Sequence, residues 1–325
     1  MTKFVISGYI GFDNFGDEAI CGVLTKYLKD SKAEKITVIS ANPEKTSRLY
    51  WVHSCKMLEI FKPIMESDVL ISGGGSLLQD VTSLKSLIYY LAVIMFALVM
   101  NKKVIIFAQG FTPFRTKIGE YLTKFVLKKC HQITVRDKAS QELLKEMGIE
   151  SELICDPVFE IETPEVKEHY GVGIQLRNCR YLTDEFMYFL ATEIASKFKN
   201  KEVKLFSMQD SADLPIIERF ASMLTGKGII ARIHMNMTVP ETIQELSKLE
   251  YFIGMRFHAN LVAAKAGVKV LGINYDVKVK TLAKTIGFPI INMFGCEVTE
   301  GIDKLLNMST YGYNIPKFTF PNLFA

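Results

Sequence analysis

The residues best suited to chemistry in this 325-residue chain lie near its C-terminal end. Arg256 and His258 stand in the run GMRFHAN, where a predicted strand gives way to a predicted helix, and Lys278 follows at the start of the next predicted helix. An imidazole can transfer a proton, whereas a guanidinium or an ammonium binds carboxylate and phosphate groups. The pattern predicts a site for a small, highly charged anion, with Lys280 as the alternative to Lys278.

A glycine-containing run, GYIGFDNFGDE at residues 8–18, directly follows the first predicted strand. Its glycines allow the backbone to turn tightly and to approach a ligand. Asp17 is expected either to cap the following helix or to orient or deprotonate a sugar hydroxyl, and Asp13, Asn14 and Glu18 are further candidates in the same loop. The run does not match G-x-G-x-x-G and is acidic where the helix starts, so a dinucleotide is not expected.

A second glycine run, SGGGS at residues 72–76, follows an apolar predicted strand and leads to Gln79. Consecutive glycines expose backbone N–H groups that can bind an anion or a hydroxyl, so Gly74, Gly75, Ser76 and Gln79 are candidate ligand contacts. No Lys-Ser or Lys-Thr pair follows, which excludes a nucleotide P-loop. A plain strand-to-helix turn without a ligand is the alternative.

Arg136 ends another predicted strand, in the run VRD. An arginine at the carboxyl end of a strand can point toward a ligand at that edge, and its planar fork suits a carboxylate or a phosphate. Pairing with the neighbouring Asp137 or capping of local carbonyls is the alternative.

The elements that must position these residues are short β-rich runs alternating with amphipathic segments, which is typical of parallel sheets covered by helices. In the first half, helices are predicted near 17–30, 82–100, 115–130 and 137–147, and strands at 3–7, 36–40, 68–72, 103–108 and 132–136. In the second half, strands are predicted at 170–176, 203–207, 229–232, 251–254 and 269–273, with helices between them.

The alternation lapses over residues 149–168, which contain two prolines, so the linker is placed there. We expect an α/β fold of two doubly wound, Rossmann-like domains that face each other across a cleft. The predicted parts are an N-terminal domain at 1–160, a C-terminal domain at 161–310 and a tail at 311–325 that packs across the domains. In such sheets, ligands bind beyond the carboxyl ends of the strands, where every motif above falls.

Composition narrows the partners further. The chain is 49% hydrophobic and 23% charged, and its net charge of +4 is spread along the sequence, which disfavours a nucleic-acid partner. The six cysteines form no CxxC motif, so neither a metal site nor a compact disulfide framework is expected. The first residues are too briefly apolar for a secretory signal, so a cytoplasmic location is expected.

Residues 87–100, LIYYLAVIMFALVM, are uncharged and flanked by lysines. As a helix this stretch would be about 21 Å long, which is shorter than the roughly 30 Å hydrocarbon core of a bilayer. It should therefore not span a membrane. It is either a helix buried in the core, or an apolar surface that contacts lipid, a lipid-linked substrate or a second subunit.

Five motifs, in order along the chain, resemble those of the polysaccharide pyruvyl transferase family. Within that family they are most similar to the bacterial ketal-pyruvyltransferases that modify cell-wall polymers, and the resemblance runs from about residue 4 to residue 290. The motifs are GYIGFDNFGDEAI, SGGGSLLQD, VRDKAS, DPVF and GMRFHANLVAAKAG, with Lys278 downstream.

The resemblance implies a fold like that of the GT-B glycosyltransferases. It also implies transfer of a pyruvyl group from phosphoenolpyruvate to two hydroxyls of one sugar in a cell-surface polysaccharide or its lipid-linked precursor, with release of phosphate. Arg136, His258 and Lys278 would contact phosphoenolpyruvate, and Asp17 would lie on the acceptor side. The family usually has an uncharged residue where Asp13 stands, which leaves open which carboxylate meets the sugar.

The residue chemistry fits this reaction. A donor with a carboxylate and a phosphate requires several cations but no metal or cofactor. His258 is the expected general acid, and Arg256 or Arg136, together with Lys278, would stabilise the departing phosphate. Two alternatives remain from other classes of protein: a GT-B nucleotide-sugar glycosyltransferase and a non-catalytic glycan-binding protein.

Overall fold

A computed structural model describes residues 2–81, 83–309 and 312–324, with the side chains of Gly295 and Cys296 left out. The predicted helix start at Thr82 and the predicted start of the tail at Tyr311 lie outside these residues. The chain forms two compact units. The first contains the chain up to Glu160 together with the segment from Lys317 onward, and the second contains Ile161–Pro316.

The first unit is built on a parallel sheet. In its described part the strand order is β3-β2-β1-β4-β5-β6-β7. The strands are β1 (Lys3–Ser7), β2 (Lys35–Ser40), β3 (His53–Lys56), β4 (Val69–Ser72), β5 (Lys103–Gln109), β6 (Gln132–Val135) and β7 (Glu152–Leu153). The helices are α1 (Phe15–Asp30), α2 (Pro43–Tyr50), α3 (Phe61–Glu66), α4 (Leu84–Val99), α5 (Lys117–Leu127) and α6 (Lys138–Glu146).

The second unit repeats this plan with the order β10-β9-β8-β11-β12-β13, again all parallel within the described residues. Its strands are β8 (Val172–Gln175), β9 (Val203–Phe206), β10 (Ala231–His234), β11 (Tyr251–Gly254), β12 (Lys269–Asn274) and β13 (Ile290–Asn292). Its helices are α7 (Asp184–Lys197), α8 (Asp210–Thr225), α9 (Val239–Ser247), α10 (Phe257–Lys265), α11 (Val277–Ile286) and α12 (Gly295–Leu306).

The predicted α/β class with two doubly wound sheets is confirmed, and so are the interior strands. Strands that are buried on both faces read as continuous apolar runs, as β4 and β11 do. The prediction missed three strands, β3, β7 and β13, and all three lie at an edge of a sheet. An edge strand needs less apolar burial, so its sequence resembles a loop.

The apolar stretch at 87–100 is mainly a core helix. It forms most of α4, which buries one side in the first unit's core through Leu87, Tyr90, Leu91, Val93, Ile94 and Ala97. Within the described residues, no helix is both long enough and apolar enough to cross a membrane.

The C-terminal segment packs on the first unit. The Phe320 ring stacks on Tyr27 and on Phe107, and the Phe324 ring meets Phe4 edge to face at a centroid distance of 5.0 Å. Aromatic pairs of this kind add to the burial of the first unit's core.

Candidate functional site

Each sheet contains a switch point, where the strand order reverses and two neighbouring strands send their following helices to opposite faces. It lies between β1 and β4 in the first unit and between β8 and β11 in the second. Ligands of doubly wound proteins bind at the carboxyl ends of the strands at such a point. Both loops of the first switch point and the GMRFHAN run of the second were singled out from the sequence.

In the first unit, Asp17 lies against the glycine run. Ser7 and Ser72 are register partners, so the two glycine loops start side by side. Gly75 has a φ of +88°, and a Cβ atom there would lie 2.4 Å from the Asp17 carboxylate. Only glycine permits this approach. Asp17 also lines a cavity of about 10 Å³ with Gly73 and Gly74, which has room for about one water molecule.

The prediction that Asp17 caps the helix is wrong. Helix α1 begins at Phe15, and the side chain of Asn14 accepts a hydrogen bond from the Gly16 N–H at 3.1 Å. Asn14 is therefore the N-cap, and Asp17 lies in the first turn, where its carboxylate does not serve as the cap. Sequence alone could not separate the two, since Asn and Asp are about equally good caps.

Asp13 and Glu18, two further carboxylates of this loop, each accept hydrogen bonds that hold the loop. The Lys45 ammonium donates to Asp13 at 2.6 Å on the surface. Glu18 is buried and accepts hydrogen bonds from the Gly11 N–H at 2.7 Å and from the Tyr50 hydroxyl at 2.6 Å. Burial raises the pKa of the Glu18 carboxyl, although these two hydrogen bonds oppose the rise. Both side chains shape the loop.

Three sequence motifs meet at Arg136. Its guanidinium donates to the Asp156 carboxylate of the DPVF motif at 2.8 Å and to the Ser76 hydroxyl of the glycine run at 3.3 Å. The side chains of Arg136 and Asp156 are almost fully buried. Gly110 makes room for this arrangement, because a Cβ there would lie 3.0 Å from the arginine. The predicted alternative of pairing with Asp137 is wrong, since Asp137 caps α6.

Asp80 fixes the end of the same motif. It is buried and accepts hydrogen bonds from the Arg115 and Thr116 N–H groups and from the Thr116 hydroxyl, at 2.6–2.7 Å. Burial alone would raise the pKa of Asp80, but these hydrogen bonds outweigh it and the pKa is lowered. Gln79 accepts from the Val81 N–H at 2.7 Å. The SGGGSLLQD run is thus tied to the loop before α5.

In the second unit, Arg256 is held by a buried carboxylate. Its guanidinium donates to both oxygens of Asp213, from Nε at 2.9 Å and from Nη2 at 2.7 Å, and Asp213 is fully buried. Gln175, at the end of β8, accepts the Arg256 N–H at 2.7 Å. The fork that the sequence assigned to the donor is therefore occupied by Asp213, and Arg256 holds the start of α10 in place.

His258 is the second residue of α10 and is half-buried. The N-cap residue of this helix, Arg256, makes no side-chain cap. Gly254, just before it, must be glycine, because a Cβ there would lie 2.4 Å from the Phe252 ring and 2.6 Å from the Asn260 amide oxygen. Asn260 in turn donates to the Gly254 carbonyl at 2.9 Å. These contacts fix the turn that presents His258.

Lys278 follows the neighbouring strand. β12 pairs with β11, and α11 begins directly after it. Asp276 caps α11 by accepting the Lys278 N–H at 2.9 Å. Lys278 is half-buried, whereas Lys280 is exposed. The structure thus places His258 and Lys278 after adjacent strands at one edge of the sheet, as predicted.

One cation at the second switch point was missed. Arg177 follows β8, its N–H donates to the Met255 sulfur at 3.2 Å, and its guanidinium donates to the Tyr275 hydroxyl at 3.2 Å. Within the described chain it forms no ion pair with a carboxylate. The signal was present in the sequence, because an arginine soon after an apolar strand is the pattern that identified Arg136.

Within the described residues, no group of three or more His, Cys, Asp and Glu side chains is arranged to hold a metal ion. The residues at the two switch points differ in kind. The first brings together a carboxylate, glycine N–H groups and a neutralised arginine. At the second, an imidazole, an ammonium and an arginine follow three adjacent strands, and within the described residues this arginine forms no ion pair with a carboxylate.

Solved structures similar to this chain confirm a GT-B-like fold. UDP-GlcNAc 2-epimerase from Methanocaldococcus jannaschii is 11% identical, with a TM-score of 0.66 over 98% of this chain and 96% of that one. UDP-GlcNAc 2-epimerase from Neisseria meningitidis is 11% identical, with a TM-score of 0.62 over 96% of each chain. A glycosyltransferase from Rickettsia africae is 14% identical, with a TM-score of 0.60 over 94% of this chain and 88% of that one. At sequence identities this low, the similarity shows only the shared fold.

The match to a sequence family shows which family the chain belongs to. Residues 14–277 match the family model described as polysaccharide pyruvyl transferase, and this range runs from Asn14 in the first glycine loop to the start of α11, one residue before Lys278. The chain belongs to the polysaccharide pyruvyl transferase family. Among curated proteins, none matches the chain.

Proposed function

We propose that the protein transfers the pyruvyl group of phosphoenolpyruvate to two hydroxyls of one sugar, in a cell-surface polysaccharide or its lipid-linked precursor. The product is a cyclic ketal, and phosphate is released. The observation that carries this proposal is the placement of Arg177, His258 and Lys278 after three adjacent strands, β8, β11 and β12, in a member of this family.

The second switch point suits a donor with two anionic groups. A guanidinium fork binds a carboxylate through two parallel hydrogen bonds, and an ammonium neutralises a phosphate as a point charge. Helices α10 and α11 both begin at this edge. Their N-terminal N–H groups and dipoles favour a negative charge. We assign Arg177 and Lys278 to the donor on these grounds.

His258 is the proposed general acid. It delivers a proton to C3 of phosphoenolpyruvate while a sugar hydroxyl oxygen bonds to C2. The bond between C2 and the phosphate oxygen then breaks, and the second hydroxyl oxygen takes its place on C2. Of the two hydroxyl protons, one balances the proton placed on C3 and the other leaves with phosphate. Lys278 stabilises the phosphate as it departs. The reaction needs no metal or cofactor.

The two buried arginines have different parts in this proposal. Arg256 acts as a positioning residue, because its contacts with Asp213 and Gln175 hold the turn that carries His258. Arg136 was expected to contact the donor. That contact stays a prediction, since its described contacts are to Asp156 and Ser76.

The acceptor is assigned to the first unit. Asp17 is the proposed base, because its carboxylate lies beside the Gly75 backbone at the switch point. Acceptor contacts by Asp13, Asn14, Gly74, Ser76 and Gln79 remain predictions. We place the reaction in the cytoplasm, at the inner face of the membrane when the acceptor is lipid-linked.

The test is incubation with phosphoenolpyruvate and a panel of lipid-linked or aryl-linked sugars. The expected product is heavier than the acceptor by one pyruvate less one water, and phosphate release matches product formation. A glycosyltransferase would instead require a nucleotide sugar and release no phosphate from phosphoenolpyruvate. A glycan-binding protein would bind sugar without turnover. The proposal would be contradicted by either of these outcomes if no sugar in a broad panel became pyruvylated.

A further inference from the structure

We propose that the first unit docks on an anionic lipid surface through α5. Its contact face consists of Ile118, Tyr121 and Phe125, with Lys117, Lys124, Lys128 and Lys129 beside them; we call this set the α5 face. The proposal concerns the charge and apolar pattern of this helix and does not rest on the pyruvyl transfer reaction.

The apolar part of the α5 face is a solvent-exposed stripe along the helix. Ile118, Tyr121 and Phe125 are 63%, 69% and 48% exposed. They lie at i, i+3 and i+7, which places them on one side of the helix. The opposite side is buried and anchors the helix to the core through Gly119, Thr123, Val126 and Leu127. Single exposed apolar residues are common, but three in one helical stripe point to an interaction surface.

The basic part of the α5 face adjoins this stripe. Lys117, Lys124 and Lys128 lie at i, i+7 and i+11, on the next side of the helix. The Lys129 ammonium sits 4.9 Å from the centre of the Phe125 ring. Lysines can extend to lipid headgroups while apolar neighbours enter the boundary below. Glu120 is the only acidic residue of α5.

The neighbouring helices also expose apolar side chains. α4 packs against α5 and exposes Ile88 and Val99. α3 contacts α4 through an edge-to-face pair between Phe61 and Phe96, and it exposes Phe61 and Met65. The buried side of α4 belongs to the core, and we place the membrane contact mainly on the adjacent α5.

The charge decides between a bilayer and a second copy of the chain. In a two-fold dimer the α5 face would meet a second α5 face of the same positive charge, which offers the lysines no complementary anionic patch. An anionic leaflet instead attracts each lysine by about 1 kcal/mol near the surface. The combination of a stripe of exposed apolar residues with a row of lysines therefore fits lipid headgroups that carry negative charge.

The test is flotation of the full chain with vesicles of phosphatidylcholine alone or with about a third phosphatidylglycerol. Two variants change the α5 face separately: Ile118→Ser with Tyr121→Ser and Phe125→Ser, and Lys117→Gln with Lys124→Gln and Lys128→Gln. The matched control is Tyr188→Ser with Phe189→Ser, which removes exposed aromatics from α7 of the second unit. Circular dichroism and thermal unfolding check that each variant folds.

The wild type and the α7 control should float with anionic vesicles, and salt should weaken the binding. Each α5 variant should lose tenfold or more in affinity. Equal binding by the lysine variant, or no binding by the wild type, would overturn the inference. A dimer in light scattering that the apolar variant dissociates would overturn it in favour of a contact between copies. Pyruvyl transfer to a soluble aryl sugar should be unchanged, so failure here is distinguishable from failure of the proposed reaction.

Discussion

The two units have the same strand order up to the sixth strand, yet they collect different chemistry at the same place. At its switch point, the first unit holds Asp17 against glycine and neutralises Arg136 with Asp156. The second unit holds Arg177, His258 and Lys278 after three adjacent strands. The difference shows that the fold supplies the position, whereas the loops after the strands supply the function.

The comparison also separates two kinds of arginine. Arg136 and Arg256 are buried and paired with carboxylates, so their charge is already balanced. Arg177 is half-buried, and its described polar contact is a tyrosine hydroxyl. Binding a new anion costs less for a guanidinium that need not first leave a carboxylate. Arg256 is therefore assigned a structural role and Arg177 the binding of an anion.

Substitution of the two arginines of the second unit tests that division. Arg256→Met would leave the Asp213 carboxylate buried and unpaired, so we expect a loss of about 3–5 kcal/mol in the free energy of unfolding. Arg177→Met should change stability by less than about 1 kcal/mol, as expected away from a buried charge. Denaturant unfolding of both variants measures this, and equal stabilities would break the distinction.

The next prediction concerns the proton. His258→Ala should lower kcat by about 100-fold or more, as expected for loss of a general acid. The matched control is His53→Ala, which removes an exposed histidine from edge strand β3 of the first unit. Steady-state phosphate release measures both. Near wild-type turnover in His258→Ala would remove the imidazole from the mechanism.

Two carboxylates, Glu245 in the second unit and Glu18 in the first, should contribute to stability with opposite dependence on pH. Burial opposes ionisation of Glu245, but hydrogen bonds from Lys248 and Lys204 outweigh it and lower its pKa to about 2. This carboxylate stabilises the fold above its unfolded pKa of about 4.3, and the contribution is lost as pH falls through about 2. The pKa of Glu18 is raised instead, because burial favours the protonated carboxyl. The contribution of Glu18 to the free energy of unfolding is therefore complete at low pH and is lost as pH rises.

We expect Glu245→Gln to cost about 2 kcal/mol at neutral pH and to flatten the acid limb of the stability curve. Glu18→Gln should be neutral or stabilising at the same pH, because the amide keeps an acceptor for the Gly11 N–H without a buried charge. Urea unfolding between pH 3 and pH 8 compares them. A parallel pH response in the two variants would contradict the assignment.

A smaller effect is expected for the lysine pair. Lys278→Met should weaken phosphoenolpyruvate binding about tenfold, since a hydrogen bond to a charged group contributes about 1.5–3 kcal/mol. Lys280→Met, two residues further along α11, should bind like the wild type. Calorimetric titration distinguishes the two, and the reverse order would assign the contact to Lys280.

The sequence predicted most of this framework because burial leaves a readable pattern. Interior strands such as β4 and β11 are buried throughout and mainly apolar, and the glycine runs mark turns in which a Cβ would be blocked at Gly75. Edge strand β3, with the sequence HSCK, carries no such pattern. Its pairing with β2 depends on backbone hydrogen bonds, which any sequence can form.

The sequence did not predict ion-pair partners that lie far apart along the chain. Nothing near Arg256 indicates Asp213, which lies 43 residues earlier in α8 and reaches it only in the folded unit. Arg136 and Asp156 are likewise joined across a helix and a strand. A pattern shows which residues can bind an anion, but only the fold shows which of them already bind one.

The donor is assigned to the second unit and the acceptor to the first. Calorimetric titration of phosphoenolpyruvate into the wild type, Arg177→Met and Asp17→Asn checks this assignment, because no acceptor is required. We predict that Arg177→Met weakens the affinity about tenfold and that Asp17→Asn leaves it within about twofold of the wild type. Unchanged affinity in Arg177→Met, together with a large loss in Asp17→Asn, would contradict the account.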